Sequence, residues 1–272
     1  MSETSQRIHP TAIIGPDVVL PEQIQIGPYV VIEGQVTIGE GCIIDSHAVL
    51  YGPLTIGRRN HIGSGAIIGG EPQYRGLKKE ETSVVIGDDN KFREYVTINR
   101  GTIDGGGVTR VGNDNYLMTG AHLGHDCHVH DHCTIINYAA IAGHVILFDQ
   151  CLISGFVGIQ QRSRVGRLAM MGGHCRSTKD VPPFTLAQGH NTITGLNLVG
   201  MRRAGIPRPS IDAVRNVFKM LFYHGMTISK ATDEAEKIYG EVPEVRELIE
   251  FVRSSKIGIS RVRSSKDDIR EF

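Results

Sequence analysis

The sequence predicts a parallel β-helix with three short strands per coil, followed by a small α-helical domain, and three observations carry that expectation. The first is a period of six. Ile8, Ile14, Leu20, Ile26, Ile32, Ile38, Ile44, Leu50, Ile56, Ile62 and Ile68 recur without a break, and the register returns at Ile86, Phe92 and Ile98. After "GTIDGGGVTR" it shifts by one residue and runs unbroken from Val111 through Leu117, Leu123, Val129, Ile135, Ile141, Leu147, Ile153, Ile159 and Val165 to Met171. The second is a companion position: small or β-branched residues such as Ala12, Val30, Ala48, Ala66, Ala121, Ala139 and Ala169 stand four after the large aliphatic. Helical faces repeat at about 3.6 residues and ordinary strands at two, so neither yields six. A short strand followed by a tight corner does, and three of them close a coil of about eighteen residues that stacks on the next at about 4.8 Å. The third is a change of pattern: the period stops after Cys175, and Ile211, Val214, Val217, Phe218 and Leu221 follow helical spacing.

Each element follows from these. The aliphatic and the small residue point into the prism, and glycines one position after the aliphatic (Gly15, Gly27, Gly39, Gly124) are expected to relieve the corners. Cys42, Cys127, Cys133, Cys151 and Cys175 all fall on the small inward position. They are therefore expected as buried hydrophobes, without disulfide, nucleophilic or metal roles. Two segments interrupt the coil: residues 69–84, where Tyr74 and Glu80 occupy hexad slots, and the glycine-rich residues 101–110. The coil domain is expected over residues 1–190 and the helical domain over 191–272. Within the latter, Ser210 is expected to cap the first helix, "SKATDEAEKIYGE" to form a second, and "PEVRELIEFVRSS", with Pro243 in its first turn, a third. Such hexads resemble the hexapeptide-repeat family of left-handed parallel β-helices. The left hand comes from that resemblance alone, since ordinary crossovers favour the right.

Composition narrows the function. Lys+Arg and Asp+Glu both number 29, so no net charge points to nucleic acid or an anionic membrane as a partner. The segment "MSETSQRIHP" has no apolar signal-peptide core, and no apolar run approaches the roughly 20 residues a membrane span needs. A soluble, cytoplasmic protein without membrane insertion is the expectation.

The stretch "AHLGHDCHVHDH", Ala121 to His132, holds five histidines, two aspartates and a cysteine. Leu123, Val129 and Cys127 take the inward slots. His122, His125, Asp126, His128, His130 and His132 are therefore expected to face outward or lie at corners, as surface groups on a rigid scaffold. Stacking at eighteen residues brings Gly143 and His144, then Gln160 and Gln161, over His125. Three readings fit the residues: a zinc site of His122, His125 and further imidazoles, as in carbonic anhydrases of this fold; a general base with a carboxylate fixing its tautomer; or a solvated histidine-rich face.

The segments "INRGT", "GGGVTRVG", "GAHLGHDC", "AGHV", "DVPPFTLAQG" and "NLVGMRRAGI" resemble the UDP-N-acetylglucosamine O-acyltransferase family over nearly the whole chain, helical domain included. That resemblance implies a homotrimer with active sites between subunits. It implies transfer of a 3-hydroxyacyl chain from acyl carrier protein to the 3-OH of UDP-N-acetylglucosamine, the first step of lipid A biosynthesis, with no cofactor and no metal. By the same resemblance His125 is the general base, Asp126 its orienting partner, and the Gly143 N–H an oxyanion donor. His122 and His144 contact or position the sugar. Gln161, Asn197, Arg202 and Arg203 surround the UDP, Gln73 belongs to the loop that holds the acyl hydroxyl, and Gly173 floors the acyl groove. His128, His130 and His132 are left as exposed decoration.

The sequence departs from the family pattern at Gln160, where a histidine is usual, and at Val199, where an acidic residue is usual. It departs also in "QYRGLKK", where Tyr74 and Gly76 stand in place of the acidic and basic residues usual after Gln73, and Lys78 and Lys79 are the candidate substitutes. These differences touch acyl specificity and nucleotide contacts, and they fit an amine as well as a hydroxyl acceptor. Three other functions remain: the related N-acyltransferase, which usually carries a domain before the coil, whereas hexads here begin at Ile8; a zinc hydrolase or lyase; and a non-catalytic scaffold.

Overall fold

The computed structural model describes residues 7–73 and 81–262. Strands of two to five residues, parallel except for one antiparallel pair, stack into three sheets, of twelve, nine and eight strands among the described residues, which form the sides of a prism. The first face starts at Arg7–Ile8, the second at Ile13–Ile14 and the third at Val18–Val19. Pairs such as Arg7↔Gln25, His122↔Ala140 and Ile146↔Arg164 show the coil of eighteen directly. Where loops leave the prism the spacing grows: His61 pairs with Lys91, thirty residues on, and Lys91 with Tyr116, twenty-five on.

The repeat aliphatics and their companions fill the prism as one core, the five cysteines among them. All five thiols are buried and unpaired. In three coils the companion is asparagine, and the amides form an internal ladder. Asn60 Oδ1 accepts from Asn90 N (2.9 Å) and Nδ2 (3.0 Å), Asn90 Oδ1 from Asn115 N (2.9 Å), and Asn115 Oδ1 from Cys133 N (2.7 Å). Buried amides are tolerated because they take up backbone groups of the adjoining coils.

Glycine does a different job from the one expected. The left-handed corner residue is the third after the aliphatic and is often large: Tyr29, His47, Tyr95, Asp126, Tyr138, His144 and Phe156 all have φ between 56° and 61°. Gly39, one after its aliphatic, is needed because a Cβ there would lie 2.7 Å from the carbonyl carbon of Gly57 in the next coil. At Gly124 a Cβ would lie 2.8 Å from Gly143 N. Close stacking of backbones, rather than the corner dihedral, excludes a side chain.

The two excursions are shorter than 69–84 and 101–110, because Ile67–Gly70, Ser83–Ile86 and Val108–Val111 are strands of the prism. Tyr74, Gly76, Lys78, Lys79 and Glu80 lie outside the described residues. The second loop contains a 3-10 turn, Ile103–Gly105, capped by Thr102.

Residues 191–262 are not wholly helical. Thr192–Leu196 pairs antiparallel with Thr185–Gln188 on the first face, and Arg261–Val262 returns to pair with Thr192–Ile193. Between them lie α1 (Leu198–Arg203), α2 (Arg208–Phe222), α3 (Ile228–Tyr239) and α4 (Pro243–Arg253). α1 is additional to the helices expected. Ser210 does not cap α2: the helix begins at Arg208 after Pro207, with Pro209 in a first turn where no N–H is required. Pro243 opens α4, as expected. The helical layer packs on the third face through Arg164, whose guanidinium donates to Asp180 Oδ2 (2.8 Å) and Phe251 O (3.0 Å). Arg167 adds a contact to Glu247 at 2.8 Å. No helix among the described residues is long and apolar enough to cross a membrane.

Candidate active site

His125 and Asp126 lie at the corner between the second and third faces, after the strand His122–Leu123. They are not the exposed surface groups expected. The His125 side chain is 11% exposed and the Asp126 side chain 1%. The reason is the second loop, which folds back over the corner. Asp126 Oδ1 accepts from Thr102 N (2.8 Å), Oδ2 accepts from Thr102 Oγ1 (2.7 Å), and Asp126 N donates to Thr109 Oγ1 (2.8 Å).

The corner residue's left-handed backbone turns its carboxylate toward the preceding imidazole, so that His125 Nδ1 and Asp126 Oδ2 are 2.7 Å apart. An ionised carboxylate only accepts, so Nδ1 carries the proton and Nε2 keeps its lone pair. Gly143 stacks over the ring, and its N–H has no hydrogen-bond partner among the described residues. His144 N donates to His125 O (2.9 Å), and the two imidazoles meet edge to face with centroids 5.0 Å apart. His144 Nε2 is 3.7 Å from Asp126 Oδ2. Burial lowers His144 from the ordinary imidazole range against the opposing pull of Asp126, and burial alone lowers His122.

A cleft of about 480 Å³ opens on the second face beside Nε2. It brings together Gln73, His122, His125, Gly143 and Gln161 of the expected residues, with Gln160 alongside. Of the altered positions, Gln160 stands at the cleft wall itself, and Val199 on α1 does not line it. Its floor is made of Ala140, Ala142 and Gly158, whose small side chains leave the space open. His122 is fixed by Thr97 Oγ1 at 2.8 Å from Nδ1. Gly173, Asn197, Arg202 and Arg203 do not line this cleft. Gly173 is exposed, Asn197 caps α1 by accepting from Gly200 N (2.9 Å) and donates to Leu168 O (2.9 Å), and both arginines are exposed on α1. His128 stacks on His130, and His130 on Phe148, over the third face, away from the cleft.

Sequence reasoning missed Thr102, Thr109 and Asn99. Asn99 lines the cleft with Nδ2 donating to Glu71 O (2.7 Å), which leaves Oδ1 without a partner. Thr102 stands in the "INRGT" segment, but only the path of the loop shows what it touches.

His125, Asp126 and His144 also place three potential ligand atoms within 4.8 Å of one another. The donor chemistry fits a proton better than a metal. The Asp126 carboxylate already accepts from Thr102 N, Thr102 Oγ1 and His125 Nδ1, and the His125 nitrogen facing it is protonated.

Residues 180–260 match the family model for domain 2 of UDP-N-acetylglucosamine O-acyltransferase, and residues 35–70 match bacterial transferase hexapeptide repeats. The chain is similar to the solved UDP-N-acetylglucosamine acyltransferase of Francisella novicida (32% identity, 96% of each chain, TM-score 0.92). It is similar to the O-acyltransferase of Moraxella catarrhalis (36% identity, 93% of this chain and 99% of that one, TM-score 0.91). It is also similar to LpxA of Acinetobacter baumannii (39% identity, 94% and 99%, TM-score 0.91). These likenesses give the prism its left hand. With nearly its full length matched at such identities, the chain belongs to the UDP-N-acetylglucosamine O-acyltransferase family.

Proposed function

We propose that the protein transfers a 3-hydroxyacyl chain from acyl carrier protein to the glucosamine 3-OH of UDP-N-acetylglucosamine, in the cytoplasm and as a homotrimer. This is the first step of lipid A biosynthesis. The observation that carries the reading is the His125–Asp126 pair, held at 2.7 Å, with Nε2 and the adjacent Gly143 N–H both without a partner among the described residues.

Nε2 takes the proton of the sugar hydroxyl as its oxygen attacks the thioester carbonyl. The new C–O bond pushes the carbonyl electrons onto oxygen, which the Gly143 N–H receives. Collapse breaks the C–S bond, and the imidazolium returns its proton to the departing thiolate. A thioester is already activated, so this chemistry calls for no metal and no cofactor. The base contributes roughly 10²–10⁴-fold in rate, and the oxyanion donor about 3 kcal/mol. Burial keeps His122 and His144 uncharged more readily than free imidazole, which suits hydrogen bonding to sugar hydroxyls.

Within one chain the cleft is open on one side, and Arg202, Arg203 and Gly173 lie elsewhere. A neighbouring copy supplying them would close the cleft and bring cations to the diphosphate, which supports the trimer. Asn197, spent on α1 and Leu168, then serves by holding the helix that carries both arginines. The test is mass spectrometry of products from a panel of 3-hydroxyacyl carrier proteins offered UDP-N-acetylglucosamine and its 3-amino analogue. Ester product with the hydroxyl acceptor is expected. Product with the amine alone would assign the protein as an N-acyltransferase, and no product with either would sink acyl transfer.

A further inference from the structure

We infer that Thr102 is a positioning residue of this reaction: its hydroxyl and backbone N–H hold the Asp126 carboxylate on His125 and off His144. The inference rests on the acyl-transfer reading of the site.

Asp126 Oδ2 has two imidazoles in reach, His125 Nδ1 at 2.7 Å and His144 Nε2 at 3.7 Å. Nothing in the aspartate itself chooses between them, because a carboxylate with a free χ2 can turn toward either. Thr102 removes that freedom. Its N–H binds Oδ1 at 2.8 Å and its hydroxyl binds Oδ2 at 2.7 Å, so both oxygens are pinned by one residue and the carboxylate plane is set.

The direction of the hydroxyl hydrogen is fixed as well. Gly105 N donates to Thr102 Oγ1 at 3.1 Å, and Asp126 can only accept, so the Thr102 hydrogen points at Oδ2. The 3-10 turn holds this arrangement, with Gly105 N (3.0 Å) and Gly107 N (2.7 Å) both donating to Thr102 O. Gly105 must lack a side chain, since its Cβ would lie 2.1 Å from Asp126 Cγ. The loop is therefore built against the carboxylate, while Thr109 holds the Asp126 backbone from below. Thr102 is separated from substrate by Asp126 and His125, and it acts through them.

The test is a double-mutant cycle on the full chain, measuring kcat and KM for acyl transfer with Thr102→Val, Thr102→Ser, Asp126→Asn and Thr102→Val/Asp126→Asn. Thr102→Val is expected to lower kcat ~10- to 100-fold, the loss that follows removal of one hydrogen bond to a charged group, with KM within about twofold. Thr102→Ser keeps the donor and is expected within about threefold of the parent. In the Asp126→Asn background the Val substitution is expected to add less than about twofold, because its route of action is gone. An equal loss in both backgrounds, or no loss in the parent, overturns the inference and leaves the acyl-transfer reading standing. A fully active Asp126→Asn enzyme overturns the inference as well, whereas a parent chain that transfers no acyl group overturns the acyl-transfer reading instead.

Discussion

Gly143 stands directly over the His125 imidazole, so close that a Cβ on it would lie 2.6 Å from both Nε2 and Cε1. The same stacking that builds the prism therefore sets the ceiling of the imidazole and leaves a backbone N–H beside it. Gly143→Ala is expected to displace the ring or the coil above it, lowering kcat by roughly 100-fold, the scale of losing base or oxyanion geometry. Circular dichroism should remain that of the parent. Steady-state kinetics with a rate near the parent's would show that the close approach has no part in the reaction.

Gly39 tests the stacking away from the chemistry. Its absent Cβ would sit 2.7 Å from the Gly57 carbonyl carbon and oxygen, so Gly39→Ala forces two coils apart. A loss of about 1–3 kcal/mol is expected, as for other overpacked sites. Thermal unfolding should record it as a lower Tm with kcat unchanged. An unaltered Tm would mean that coil spacing is softer than the geometry implies.

The cysteines should be inert in the folded protein. Burial pushes Cys127 to about 12 and Cys175 to about 11, so thiolate is scarce at neutral pH. An aromatic disulfide reagent at pH 8 is expected to label none of the five in native protein and all five after denaturation. Rapid native labelling would contradict their placement inside the prism.

Stability should fall on the acid side through the partly buried His122. Burial holds folded His122 below its ordinary value of 6.5, so the unfolded chain binds the extra proton first. Its neutral burial is therefore uncharged for above that value, and stability is lost as pH falls through it. Between pH 7.5 and 5.5 the denaturant midpoint should drop, and it should drop less in His122→Gln. Equal drops in the two proteins would remove His122 from the effect.

Most of the architecture could be read because period six is unlike any other regular structure. The twelve extra residues of the first loop are two whole hexads, so the register from Ile68 to Ile86 looked continuous although His61 pairs with Lys91, thirty residues away. The second loop adds seven, which is why the register slipped by one at Val111. The stacking of Gly143 and His144 over His125 followed from arithmetic alone. The burial of His125 and Asp126 did not, because it depends on a loop whose return path leaves no mark in the hexad pattern. Ser210 looked like a cap by residue type, yet Pro207 and Pro209 already supply the backbone that a helix start needs. The corner glycines misled for a related reason: their requirement comes from the neighbouring coil and not from their own dihedral angles.

Acyl transfer as proposed depends on His125 as the base. The most direct measurement is the rate of 3-hydroxyacyl transfer from acyl carrier protein to UDP-N-acetylglucosamine by His125→Gln beside the parent, with circular dichroism confirming that the variant is folded. A loss of roughly 10²–10⁴-fold in kcat is predicted. A folded variant that transfers at the parent's rate would contradict the account.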